Sequence, residues 1–140
     1  MTDQDDQNVV RIPDVLLHYD AELVYTYNGQ RFTGIGYEDD PERGRSEISC
    51  VDGAQEGPSR DWYPSGQLKG ETIYKGNVRD GHNREFREDG SMWLEEIYEH
   101  GVLVRSARFD ENGNVIESFE ISEDSPSFSQ LQRLWEQFGR

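Results

Sequence analysis

The chain of 140 residues carries 29 Asp and Glu against 14 Lys and Arg, a net charge of −15, and only 33% hydrophobic residues. We expect one domain with a small core, and the charge argues against direct binding to DNA, RNA or anionic lipid, because each of these needs a basic face. The sequence has neither a long apolar run nor a signal-peptide pattern, so we expect a cytoplasmic protein without a membrane segment.

The amino-terminal part changes character at residue 9. Residues 1–8, "MTDQDDQN", are acidic and polar and predict a flexible terminus. Residues 9–27 carry enough Val, Leu and Tyr for one or two strands. We expect those strands to cap one end of the structure that follows.

A repeating pattern follows. A dipeptide ending in Gly has an aromatic residue four positions before the Gly and, in three of the four copies, a tyrosine eight positions after it. Glycine accepts the positive φ of tight turns, so each dipeptide predicts a β-hairpin. The four dipeptides are Asn28-Gly29, Ser65-Gly66, Asp89-Gly90 and Asn112-Gly113.

The first of these units departs from the others in this alignment. The interval from Gly29 to Cys50 is thirteen residues longer than the interval from Gly66 to Tyr74. We therefore expect an insertion that includes a loop at "EDDPERGR" (38–45). Cys50 falls where other units have tyrosine and is predicted to be a buried strand residue.

The carboxy-terminal segment predicts a helix. Phe128, Leu131, either Leu134 or Trp135, and Phe138 recur at steps of three and four residues, which is typical of an amphipathic helix. Ser127 and Gln130 suggest a capping box, and Gly139 suggests the helix end. This helix either covers the open edge of the last hairpin or recognises a partner.

The sequence thus predicts a mainly β protein with three parts. Residues 1–8 form the acidic terminus, and residues 9–121 form antiparallel β-hairpin repeats joined in an elongated sheet. Residues 122–140 form a linker and the carboxy-terminal α-helix. Stacked hairpins suit a chain with little core material, because each repeat buries its apolar face against its neighbours.

Two stretches carry a family resemblance. "RDWYPSGQLKGETIYKGN" (60–77) and "REFREDGSMWLEEIYEHG" (84–101) resemble the variant MORN repeat. Residues 18–121 as a whole are similar to the YwqK-type antitoxin family, which is built from such repeats. The resemblance implies a bacterial antitoxin or immunity protein that binds its toxin directly, and it implies no catalytic residue.

Motifs for catalysis or cofactor binding are not found. His18, His82 and His100 lack metal-ligand spacing, and no nucleophile elbow or phosphate-binding loop occurs. We expect no catalytic, cofactor or metal site. A small hydrolase or isomerase that uses a pair of carboxylates stays an alternative, and it would require a concave pocket with perturbed carboxylates.

The negative charge favours a basic protein partner in a one-to-one complex, such as a toxin with a basic groove for nucleic acid, although acidity also serves solubility. The aromatic residues Trp62, Phe86, Tyr98 and Phe109 are predicted to lie in the core. A MORN-like structural adaptor for protein or membrane-proximal assembly is the alternative function. The candidate partner contacts are the loop residues Glu38, Asp39, Asp40 and Glu42, and the strand residues Trp93, Glu95, Glu96 and Glu99.

Overall fold

A computed structural model describes residues 9–140. They form thirteen strands and one α-helix, with a short 3-10 turn at Asp14–Leu16. The prediction for residues 1–8 lies outside the described residues. The first strands are β1 (Arg11–Pro13), β2 (His18–Tyr19), β3 (Tyr25–Tyr27), β4 (Gln30–Arg31), β5 (Gly34–Asp40), β6 (Gly44–Val51) and β7 (Ala54–Gln55). The remaining elements are β8 (Gly57–Trp62), β9 (Leu68–Lys75), β10 (Val78–Phe86), β11 (Met92–Glu99), β12 (Val102–Phe109), β13 (Val115–Glu120) and the helix α1 (Phe128–Phe138).

Ten of these strands form one sheet. Its order is β1-β5-β6-β8-β9-β10-β11-β12-β13, and β7 pairs with β6. Every pair in the sheet is antiparallel except β1 with β5, so β1 caps one edge as expected of the amino-terminal segment. The strands β2, β3 and β4 form a separate small sheet. The predicted fold, a mainly β protein with a long antiparallel sheet and a carboxy-terminal helix, is confirmed.

Two classes of turn alternate along the chain. In the first class both central residues have positive φ, between 49° and 85°, as in type I′ hairpin turns. The second residues of these turns are Gly29, Gly53, Asn77 and Gly101, each 24 positions after the last. In the second class only the glycine has positive φ, and it donates its N–H to the residue three positions earlier. The glycines of the second class are Gly66, Gly90 and Gly113.

The predicted alignment of the first unit is therefore wrong. Asn28-Gly29 belongs with Asp52-Gly53 and not with Ser65-Gly66, so no thirteen-residue insertion exists. Residues 38–45 are the tip of the regular β5–β6 hairpin, with only residues 41–43 outside the strands. An Asn-Gly pair suits both classes of turn, so the sequence alone did not distinguish the turn at Asn28-Gly29 from the second class.

The core is small. The buried hydrophobic residues are Phe32, Cys50, Leu94, Val102 and Leu131. The aromatic residues predicted to lie in the core are only partly buried: Trp62, Phe86, Tyr98 and Phe109. The strands contact chiefly their hydrogen-bonded neighbours. Cross-strand pairs therefore contribute a large share of the stabilising contacts.

One such set of pairs is a charge ladder, defined by Glu47, Arg60, Glu71, Arg84 and Glu95. These residues lie directly opposite one another on β6, β8, β9, β10 and β11. The ion pair between Arg60 Nε and Glu71 Oε2 measures 2.6 Å, and that between Arg84 Nε and Glu95 Oε2 measures 2.9 Å. Alternation of sign across the strands places each charge beside an opposite one.

Glu71 at the centre of the ladder has an altered acidity. Burial alone would raise the pKa of Glu71, but hydrogen bonds from His82 and Arg60 outweigh this effect and hold the pKa below its ordinary value of 4.5. A lowered carboxyl pKa stabilises the folded state above the unfolded-state pKa, and this contribution is lost as pH falls through the folded-state pKa.

We expect Glu71→Gln to lower the free energy of unfolding at pH 7 by about 1–2 kcal/mol, because two charge-assisted hydrogen bonds weaken. The difference from the wild type should shrink as the pH falls below 4.5, where Glu71 of the folded protein becomes protonated. Urea unfolding at pH 7 and at a pH below 4.5 measures the difference in the free energy of unfolding between the variant and the wild type. Glu123→Gln, at an exposed position, is the control with the same chemical change. A difference independent of pH would contradict the assignment.

The helix α1 lies against the β11–β12 turn. Leu131 is its one fully buried side chain, Trp135 Nε1 donates to Glu99 Oε1 at 3.0 Å, and His100 Nε2 lies 2.8 Å from the carbonyl oxygen of Gly139. Gly139 ends the helix at φ 85°, as predicted. The helix does not cover the edge of the last hairpin, because all six residues of β13 are exposed.

The predicted capping box is not formed. Ser127 precedes the helix with φ −88° and ψ −1°, and its hydroxyl makes no capping bond. An N-cap side chain reaches the first-turn N–H groups when its backbone is extended, and Ser127 is instead in the helical region.

Candidate functional site

A groove of about 550 Å³ opens to solvent at the tip of the β5–β6 hairpin. We call it the hairpin-tip groove. One wall comes from this hairpin and the other from the end of β8 and the turn after it. Its charged and aromatic lining residues are Asp39, Asp40, Arg45, Glu47, Trp62 and Tyr63.

Asp40 shapes the tip of the hairpin. Its Oδ1 accepts the backbone N–H groups of Glu42 at 2.8 Å and Arg43 at 3.0 Å, which is an Asx-type turn. Its Oδ2 pairs with Arg43 Nη2 at 3.1 Å. These backbone and side-chain hydrogen bonds lower the pKa of Asp40, so its carboxylate is ionised at neutral pH.

Gly44 fixes the distance between the two walls. Its φ is 98°, and a Cβ atom there would lie 1.9 Å from the carbonyl oxygen of Trp62. The hairpin backbone thus packs directly on the backbone at the end of β8. This contact leaves no room at position 44 for a side chain larger than the hydrogen atom of glycine.

The aromatic wall is held by the neighbouring repeat. Tyr63 donates its hydroxyl to the carbonyl oxygen of Phe86 at 2.7 Å, and Lys69 Nζ lies 5.6 Å from the centroid of the Tyr63 ring. Trp62 and Tyr63 are both partly buried. Carboxylates beside aromatic rings can bind a cationic side chain by charge-assisted hydrogen bonds and cation–π contact.

Two of the four residues of the first predicted cluster, Asp39 and Asp40, line this groove, whereas Glu38 and Glu42 are not among its lining residues. Glu38, Asp39 and Asp40 end strand β5, so the predicted loop is mostly strand, and Glu42 lies in the turn. Asp39 Oδ2 pairs with Arg45 Nη1 at 2.8 Å, and Glu38 Oε1 lies 4.0 Å from Arg43 Nη2. These four carboxylates outnumber the two arginines Arg43 and Arg45, so the tip keeps a net negative charge.

The second predicted cluster is not one site. Glu95 pairs with Arg84, Glu96 accepts from Asn83 Nδ2 at 2.8 Å, and Glu99 accepts from Trp135. Neighbouring residues of a strand point to opposite faces, which separates Glu95 from Glu96. The Arg108 guanidinium lies 5.6 Å from the ring of Trp93.

The two clusters also lie apart. Five strand steps separate β5 from β11 in the sheet order, which amounts to about 24 Å. Sequence reasoning missed Trp62 and Tyr63 as groove residues, because the repeat frame assigned the aromatic before each turn to the core. The sequence signal that could have identified Trp62 and Tyr63 is their position just before the turn at Gly66.

No family model and no curated protein matches this chain. The resemblance to the YwqK-type family therefore stays a prediction. Among the described residues, no helix has the length and apolar character needed to span a bilayer.

Proposed function

We propose that this chain is a non-enzymatic antitoxin or immunity protein that neutralises a bacterial toxin by direct binding. The observation that carries the proposal is the hairpin-tip groove, which Asp39 and Asp40 line together with Trp62 and Tyr63. This combination suits a lysine or arginine side chain on the surface of a basic protein. The net charge of −15 adds long-range attraction for such a partner.

Four carboxylates have lowered pKa values, which argues against their use as general acids at neutral pH. Hydrogen bonds lower the pKa values of Asp40, Asp89 and Asp110. Hydrogen bonds also lower the pKa of Glu71, although its partial burial acts in the opposite direction. A general acid at neutral pH needs a raised pKa instead.

We expect the double variant Asp39→Asn, Asp40→Asn to weaken binding of the toxin by about tenfold or more, because it removes two charges from the groove. Asn at position 40 keeps an oxygen that can accept the turn hydrogen bonds. Titration calorimetry with the purified toxin measures the effect. Glu22→Gln with Glu136→Gln, both at exposed positions, is a control with the same change in net charge.

Equal weakening by the two double variants would contradict a role for the groove and leave only general electrostatic attraction. Binding of several unrelated proteins, or of lipid vesicles, would instead favour the structural adaptor. Higher salt should weaken the toxin complex, since screening reduces attraction between exposed charges.

A further inference from the structure

The chain contains two Asn-Gly pairs, Asn28-Gly29 and Asn112-Gly113, and all four residues are exposed. In such a pair the amide carbon of the asparagine side chain is close to the next backbone nitrogen, and glycine has no side chain to obstruct that nitrogen. Attack of the nitrogen on the amide carbon closes a cyclic imide and releases ammonia. The two pairs have the same reacting atoms and both are open to water, so the turn around each pair decides how easily the attack occurs.

The turn at Asn28-Gly29 does not hold the reacting nitrogen. The two residues have φ of 52° and 79°, as in a two-residue type I′ turn, and the flanking residues Tyr27 and Gln30 form the strand pair. Within residues 9–140, the N–H of Gly29 donates to no acceptor and the carbonyl oxygen of Asn28 accepts no hydrogen bond. The planar peptide unit between the two residues can therefore rotate without breaking a hydrogen bond of its own.

The sheet that carries this turn is also small. β3 has three residues and β4 has two, and they are joined only by the pairs Tyr27 with Gln30 and Thr26 with Arg31. A short hairpin with exposed hydrogen bonds opens at a low cost in free energy. Such opening gives the backbone of Asn28 the freedom that closure of the imide ring needs.

The turn at Asn112-Gly113 holds the equivalent nitrogen in place. Gly113 donates its N–H to the carbonyl oxygen of Asp110 at 3.1 Å, and the N–H of Asp110 donates to the carbonyl oxygen of Asn114 at 2.9 Å. Asp110 Oδ1 also accepts the N–H groups of Asn112 and Asn114, each at 2.9 Å. Rotation of the peptide unit between Asn112 and Gly113 must break the first of these bonds, so ring closure costs more here.

We propose that Asn28 is a modification site at which the folded protein loses ammonia, whereas Asn112 is protected by its turn. A base in the solvent takes the proton of the Gly29 N–H, and the nitrogen forms a bond to Cγ of Asn28. The bond from Cγ to Nδ2 then breaks, and the nitrogen leaves as ammonia after it takes up a proton. Water opens the imide: cleavage between the ring nitrogen and Cγ gives aspartate, and cleavage between this nitrogen and the backbone carbonyl carbon gives isoaspartate.

Both products alter the small sheet formed by β2, β3 and β4. Each product adds one negative charge to a chain whose net charge is −15. Isoaspartate also places the side-chain methylene group in the backbone, and a two-residue turn does not accommodate this longer backbone. We therefore expect the amide protons of β4 to exchange faster in the isoaspartate form than in the unmodified chain.

Variants of the chain assign the reaction. Asn28→Gln and Asn112→Gln are a matched pair, because glutamine must close a larger ring and reacts far more slowly. We expect Asn28→Gln to remove most of the ammonia that the folded chain releases, and Asn112→Gln to remove little of it. Asp110→Ala removes the two hydrogen bonds to the carboxylate and should speed conversion of Asn112 while that of Asn28 is unchanged. Undiminished ammonia release from Asn28→Gln would overturn the site, and unchanged conversion of Asn112 in Asp110→Ala would overturn the protection.

The rates of both pairs in the unmodified sequence decide the proposal. The full chain is kept in mildly alkaline buffer, and peptide mass mapping follows the conversion of each asparagine with time. We expect Asn28 to convert about tenfold faster than Asn112, because the nitrogen of Gly29 has no hydrogen bond to lose. In urea the two rates should converge, since both turns are lost. Equal rates in the folded chain, faster conversion of Asn112, or a difference that persists in urea would overturn the proposal.

Discussion

Replacing Gly44 by alanine should destabilise the protein far more than the same change at Gly66. Both glycines have similar positive φ, 98° and 92°, so alanine pays a similar backbone cost of about 1 kcal/mol at each. At Gly44 the new Cβ would lie 1.9 Å from the carbonyl oxygen of Trp62, whereas at Gly66 it meets nothing within 4 Å. We expect a loss of about 3 kcal/mol or more for Gly44→Ala.

Urea unfolding followed by tryptophan fluorescence measures both variants. Gly113→Ala is a second control, since Gly113 also has positive φ and open space around it. Equal losses at Gly44 and Gly66 would contradict the close contact between the β5–β6 hairpin and the end of β8. That contact lies beside the hairpin-tip groove, so its loss should also weaken binding of the partner proposed for this groove.

Leu131→Ala should detach the helix α1 from the sheet. Leu131 is the fully buried side chain of the helix, and truncation of a buried leucine costs about 2–5 kcal/mol. A helix of 11 residues is too short to persist alone in water. We therefore expect loss of the helical circular dichroism signal and rapid amide exchange throughout residues 128–138.

The sheet should remain folded in this variant, and Cys50 reports on it. Cys50 is buried in β6, and burial raises the pKa of its thiol to about 11, so it should react slowly with thiol reagents while the sheet persists. Gln132→Ala, at an exposed helix position, is the control. Retention of the helix in Leu131→Ala would show that Trp135 and His100 hold it without Leu131.

Much of the fold could be predicted because hairpin repeats leave local signals. Glycine at Gly66, Gly90 and Gly113 marks turns that need positive φ, and apolar spacing marks α1. The predicted alignment of the first unit was wrong because Asn28-Gly29, like Asn112-Gly113, is an Asn-Gly pair but forms a different class of turn. The prediction of a capping box was wrong because the backbone angles of Ser127 cannot be read from the sequence.

Less of the candidate site could be predicted, because it depends on strand register. The acidic residues at 38–42 were found from composition, but the approach of Trp62 and Tyr63 follows from the pairing of Arg45 with Trp62 across β6 and β8. Register also divides Glu95 from Glu96 and gives each its own partner. A sequence shows that charges are near in the chain, but not which face they share.

The most direct test of the proposed function is to capture the binding partner from the native host and measure its toxicity with and without this chain. We expect one stoichiometric, basic partner that is toxic when expressed alone and harmless when this protein is co-expressed. Many substoichiometric partners, or a partner whose toxicity is unchanged by co-expression, would contradict it.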